Sequence, residues 1–438
     1  MSLLLVLICL GIFYKIYSTT GETRYNWFVG GLLFIYSSFI VISKPQIPAH
    51  RFFVIAFLLS LIKNSEISWH NIKQHPLFVP LLVYAVGLTL ITFMSPYLSP
   101  FYKLYKPLMR FLDTYMIIMI GYFGTNNVKL ANSKVSMFVI IVALYGLFSY
   151  FFSVDPYRMI FADFKDYYDD YFFGDRRRVA ATWAYPISYG FICSILFYVF
   201  FLFSEHKNKI WVLLLLAVSV FICGSRTALL TWLFIGVVFM FSILPKRDFV
   251  IFLLVFVSIS TILPPVQKKM HELTSSIAGS DDTAGSSMEM RNAQLIASLG
   301  VAAQFPITGG GLDYIQEQMG FGTDEWVDDG DYYGFESYFY SLIIERGILG
   351  VLLELALVIY LIIVFWRRRI FNNVCAYLGL GFFIGFVIFA IVTGPLDAWT
   401  IAMFYLGAML KQTDRRLENQ NFNFSFFNEL SSNNNTSL

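Results

Sequence analysis

"ILGVLLELALVIYLIIVFWRRR" occupies residues 348–369 and decides the fold class. As a helix rising 1.5 Å per residue, the run 348–365 would span about 27 Å, close to the ~30 Å hydrocarbon core of a bilayer. It ends on three arginines, as helices do on the cytoplasmic side. Similar runs stand at 210–224, "IWVLLLLAVSVFICG", and at 228–244, "ALLTWLFIGVVFMFSIL". Of the 438 residues 57% are hydrophobic and only 14% charged, with mean hydropathy +0.65. Soluble domains carry about 25% charged residues, so charge this sparse cannot coat a water-facing surface. The ~10-residue alternation of an outer-membrane barrel is absent. The sequence therefore predicts an all-α polytopic membrane protein.

Apolar runs place spans near 2–17, 28–43, 50–62, 76–94, 107–124, 135–152, 186–204, 210–224, 228–244, 249–264, 347–366, 375–394 and 396–410. The run at 50–62 is short, so the expectation is 12–13 transmembrane helices in one integral membrane domain covering 1–438. Lys and Arg gather at 206–209, 245–248, 367–369 and 411–416, which the positive-inside rule makes cytoplasmic. Two extracytoplasmic loops then remain, 153–185 and the large 265–346, carrying short amphipathic helices. Thirteen spans would put the N-terminus outside and twelve inside; inside is the commoner arrangement and is the expectation here. The first 17 residues lack a basic n-region and a cleavage site, so they read as a retained helix. The Asn/Ser-rich tail, 411–438, reads as cytoplasmic and disordered. A net charge of +2 suggests no nucleic-acid partner, and Cys9, Cys193, Cys223 and Cys375, all in apolar runs, read as buried free thiols.

Both outside loops carry candidate chemistry. Arg176, Arg177 and Arg178 end the first, on the side where topology disfavours cations. They either pair with nearby aspartates or lipid phosphates, or clamp a phosphorylated substrate through the planar guanidinium fork. Arg226 sits in a very short connection between two apolar spans, where it either snorkels to the interface or serves a site. From Met270 to Glu336 the second loop holds twelve acidic residues and one basic residue, Arg291, which either anchors a local salt bridge or enters a site. Within 288–315, Ala293, Leu295, Ile296, Leu299 and Ala302 fit an amphipathic helix lying on the membrane surface or capping a cavity, ended by Gly309–Gly311. That glycine run is either a turn or a phosphate-binding nest. The acidic stretch 323–336 lacks EF-hand spacing and reads as solvated surface before it reads as a cation site.

Four patterns in this order resemble the bacterial O-antigen polymerase and O-antigen ligase superfamily. They are Arg178 eight residues before Pro186; the pair Ser225-Arg226; Arg291 opening a helix that runs into Pro306, Gly309 and Gly311; and Glu336-Ser337 followed by "IIERGILG". The likeness covers roughly 175–370 in detail. It departs at one place: the lipopolysaccharide ligases carry His-Asn where this chain has Glu336-Ser337. That counts against a ligase and is compatible with a polymerase.

The resemblance implies a multi-pass inner-membrane glycosyltransferase, active on the extracytoplasmic face. It would polymerise undecaprenyl-diphosphate-linked oligosaccharide repeat units of O-antigen, capsule or exopolysaccharide. Partners are those lipid-linked oligosaccharides, the bilayer and a chain-length regulator; no cofactor and no metal is implied. Arg178 and Arg291, with Arg226 weaker and Arg176 and Arg177 assisting, would stabilise the leaving diphosphate. Glu336 would take the acceptor hydroxyl's proton, unless it only favours a helix N-terminus. The alternatives are an O-antigen ligase and a lipid-linked oligosaccharide flippase. Against the flippase stand the absence of an internal repeat and the length of the second loop.

Overall fold

The computed structural model describes residues 2–35, 39–42, 47–95, 98–157, 178–183, 185–205, 209–245, 247–248, 250, 294–312, 314–318, 337–370, 373–394 and 398–414. Its helices are α1 (Ser2–Ser18), α2 (Gly21–Phe34), α3 (Ala49–Lys63), α4 (Trp69–Gln74), α5 (Phe78–Phe93), α6 (Pro100–Phe111), α7 (Ile117–Gly124), α8 (Ser133–Phe152), α9 (Pro186–Phe203), α10 (Lys209–Ile222), α11 (Arg226–Ile243), α12 (Gln294–Gln304), α13 (Tyr314–Gln318), α14 (Tyr338–Arg368), α15 (Asn373–Thr393) and α16 (Trp399–Asp414). One two-stranded antiparallel ribbon, β1 (Ile40–Ile42) with β2 (Ile47–Pro48), interrupts them. Among the described residues five helices, α8, α9, α11, α14 and α15, are long and apolar enough to cross a membrane. The chain is an all-α multi-pass membrane protein. Leu82, Val83, Val86, Leu352, Leu355 and Ile359 stand about half exposed, as lipid-facing positions do. All four cysteines are buried and free.

Twelve of the thirteen expected spans fall on described helices; 249–264, apart from residue 250, lies outside the described residues. The largest difference is at 28–43. There the helix starts earlier, at Gly21, and stops at Phe34. The early start escapes a hydropathy reading because its polar residues are buried in bonds. Arg24 holds Glu66 through both guanidinium nitrogens at 2.6 and 2.9 Å, and Asn26 accepts from Asn132 at 2.7 Å. The stop is capped from elsewhere: Thr182 donates to the Leu33 carbonyl and Tyr157 to that of Phe34.

The helix ends sort into two groups. Thr19, Arg24, Ser60 and Glu66 bond one another, Lys129 meets Glu205 at 2.8 Å, and Arg368 pairs with Asp414. These residues share one end with Lys209 and with the basic segment at 367–369. Because α1 finishes at this basic end, it starts at the opposite one, which corrects the expected placement of the N-terminus. The tail is corrected in part: α16 remains helical to Asp414, and 415–438 lie outside the described residues.

Close helix approach depends on glycine. A Cβ on Gly121 of α7 would stand 2.2 Å from the Phe404 carbonyl oxygen of α16, and one on Gly407 2.0 Å from that of Ile118. Small residues let backbones touch where no hydrophobic effect drives helices together. Gly121→Val or Gly407→Val should therefore abolish most monodisperse protein on size-exclusion chromatography. Gly11→Ala, where a Cβ meets nothing within 4 Å, should leave the yield unchanged.

Candidate functional site

At the end opposite the basic loops, two sequence motifs are stitched together. Helix α14 breaks at Gly347, whose φ of 57° and ψ of −160° are nearly exclusive to glycine. The break frees backbone groups that cannot be left bare in apolar surroundings. The turn after α12 supplies their partners. Gly310 and Gly311 N–H donate to the Ile344 and Glu345 carbonyls at 2.8 and 2.9 Å. Pro306 and Ile307 carbonyls accept from Ile348 and Leu349 N–H at 3.0 and 3.1 Å.

The glycines are needed here: Gly309 and Gly311 have φ of 68° and 104°, and a Cβ on Gly309 would meet the Arg346 nitrogen at 2.4 Å. Ser95 at the end of α5 locks the turn by donating to the Gly310 carbonyl at 3.0 Å. Gly309 N–H is spent on Phe305. All three glycine N–H groups thus serve backbone carbonyls, and the turn reading holds over the phosphate nest. The expected amphipathic helix exists as α12, but Gln294 and Ser298 are buried while Ile296 and Leu299 face outward.

Two of the six predicted site residues are described. Arg178 is half-buried and precedes a tight turn, Val179–Trp183, pinned by the Trp183 N–H bond to the Ala180 carbonyl and by Thr182. Arg226 opens α11 behind the N-cap Ser225, which accepts from Ala228 N–H at 3.3 Å. A cation at a helix N-terminus is not favoured by the macrodipole, so Arg226 adds to a positive potential. Arg178 stands near the same connection. Its charge reaches the buried Cys223 at the end of α10. Arg176, Arg177, Arg291 and Glu336 lie outside the described residues. Ser337, next to Glu336, is the N-cap of α14, accepting from Phe339 N–H and donating to the Ile391 carbonyl.

The sequence reading missed a buried polar cluster just below the break. Arg346 is 2% and Glu354 6% exposed; they pair at 3.2 Å. Tyr84 donates to Glu354 at 2.7 Å, Tyr115 donates to its other oxygen, and Arg346 donates to the Tyr84 hydroxyl at 2.8 Å. The signal was available: Glu354 is a lone carboxylate inside the longest apolar run, and intramembrane charges imply partners.

With this geometry in hand, comparison shows that residues 211–355 match the family model described as O-antigen ligase. The matched segment contains the Ser225-Arg226 pair, the Gly309–Gly311 turn and the Glu336-Ser337 pair, and leaves Arg178 outside. It supports the O-antigen ligase and polymerase superfamily. No match was found among curated proteins.

Glu354→Leu and Arg346→Met should each cost about 3–5 kcal/mol, since either strands a buried charge, and the double substitution should cost less than their sum. Thermal unfolding of the four proteins in one detergent checks this.

Proposed function

We propose, taking the O-antigen ligase and polymerase superfamily as premise, that this protein polymerises undecaprenyl-diphosphate-linked oligosaccharide repeat units. The observation that carries this is the stitched turn. It ties the chain that follows Arg291 to the helix that follows Glu336, so two loop segments distant in sequence are anchored on one frame. Arg178 and Arg226 stand at that same end of the bundle. The end bearing the basic loops is cytoplasmic in this reading, and the site faces outward across the inner membrane.

In the reaction an acceptor sugar hydroxyl attacks the anomeric carbon of the donor glycan. The bond from that carbon to the lipid diphosphate breaks, and the hydroxyl proton passes to a base. Glu336 is the proposed base, a role typically worth ~10²–10⁴ in rate. Arg178, Arg226 and Arg291, with Arg176 and Arg177 assisting, stabilise the negative charge gathering on the departing diphosphate. Fixed guanidinium charges suit that task because they need no reorganisation as charge develops. No metal ion is invoked, and the products are a longer lipid-linked glycan and free lipid diphosphate. A chain-length regulator would act on the completed assembly.

The family description favours one second reading, a ligase moving finished glycan to another acceptor. Glu336-Ser337 in place of His-Asn weighs for the polymerase. Gel profiles of surface glycan separate the two. Loss of a polymerase leaves single repeats on the cell surface; loss of a ligase strands long glycan on the lipid carrier.

Glu336→Gln and Arg178→Ala should each insert normally yet yield glycans of one repeat. Persistence of long chains in both variants would remove these residues from the site. Extension of lipid-linked repeats by purified protein should also continue in chelator.

A further inference from the structure

Helix α6 has two faces. Phe101, Leu104 and Leu108 are 58–59% exposed on one. Lys103, Lys106 and Arg110, at i, i+3 and i+7, fall on the other. The basic face turns toward the protein: Lys103 donates to the Phe93 carbonyl of α5 at 3.1 Å, and the Arg110 guanidinium lies 6.0 Å from the Tyr338 ring of α14. These cations stand at the end opposite the basic loops, where the positive-inside rule disfavours them.

The row ends at a set of donors that lack acceptors. The Arg346 guanidinium faces the same Tyr338 ring at 5.9 Å. Arg110 Nε, Arg346 Nε and the Tyr338 hydroxyl are all buried and none meets a partner in good hydrogen-bond geometry, although the Glu354 carboxylate lies close enough to act on the Tyr338 phenol. Tyr338 is 7% exposed and Arg346 2%. Unpartnered buried donors are costly, so two guanidinium nitrogens and the phenol of the ring they flank mark a place for an acceptor-rich group. Glu354 offsets the charge of Arg346. Asp113, three residues beyond Arg110, is committed to Arg51. Arg110 has no carboxylate partner among the described residues.

We propose that Arg110, Tyr338 and Arg346 form an anion site that seats a phosphoryl group of a lipid diphosphate. The apolar outer face of α6 meets the lipid, and its inward basic face leads the headgroup to Arg110. Guanidinium forks and a phenol match phosphate oxygens in both charge and donor geometry. Only the choice of an undecaprenyl carrier rests on the polymerase reading. The site is distinct from Arg178 and Arg226, and a polymerase must hold two lipid diphosphates at once, one on the donor and one on the acceptor.

Binding of inorganic diphosphate to the full chain in detergent tests this, in the wild-type and in an Arg178→Ala background. Arg110→Gln should weaken binding at least tenfold and Tyr338→Phe several-fold. Lys129→Gln, at the exposed basic end, should have no effect. Tyr338→Phe keeps the ring and removes only the hydroxyl, so its effect stands even if Arg110→Gln folds poorly. Undecaprenyl diphosphate should displace the probe, and phosphatidylglycerol should not. Unchanged binding in Arg110→Gln and Tyr338→Phe, or equal displacement by both lipids, overturns the proposal. Neither result touches the polymerase reading, which stands or falls on glycan length in the Glu336 and Arg178 variants.

Discussion

A helix that breaks among apolar side chains exposes carbonyls and N–H groups that neither lipid nor hydrocarbon side chains can satisfy. At Gly347 that constraint is met by a second segment, residues 306–311, whose backbone completes the bonds α14 gives up. The exchange is reciprocal: two N–H groups pass one way and two the other. Much of the end opposite the basic loops depends on it. The turn cannot move without opening the helix, the helix cannot straighten without orphaning the turn, and Ser95 ties both to α5. Glycine is required on each side because the backbones approach too closely for a Cβ.

A second theme is buried charge used for position. Arg24 with Glu66, Arg51 with Asp113 and Arg346 with Glu354 join helices far apart in sequence or brace a break within one. Asp113 lies in a π-helical turn, Leu112–Met116, between α6 and α7. Within that turn the Thr114 carbonyl accepts from Trp399 Nε1 at 3.0 Å, joining the turn to the start of α16. Such pairs are costly to desolvate, and further bonds offset part of that cost: Ser60 accepts from Arg24, and Tyr84 and Tyr115 donate to Glu354. Arg24 Nε, Asp113 Oδ1 and Arg346 Nε are left over, and among the described residues only around Tyr338 do such atoms gather with a phenol and a second guanidinium.

The fold was legible because membrane helices announce themselves by composition and length. The reading failed at α2, whose Arg24 and Asn26 resemble loop residues until their partners at 66 and 132 are known. Of the candidate site, Arg178 and Arg226 were read as neighbours of one end, and the structure holds both there. The glycine run reads as either a turn or a nest, and its partner could not be read, because a backbone-to-backbone exchange leaves no side-chain signature. Lys103, Lys106 and Arg110 were visible at helical spacing. They went unremarked because which way a helix turns its faces depends on its neighbours.

By itself the sequence determined the class, the positions of most helices, the end that carries the basic loops and the order of the motifs. Those properties follow from local quantities: apolar length, charge placement and glycine spacing. Only the tertiary structure decided which segments meet: 306–311 against 344–349, Glu354 against Tyr84 and Tyr115, Arg110 against Tyr338. Such pairings are set by competition among all segments for buried hydrogen bonds, and no single stretch of chain contains that information.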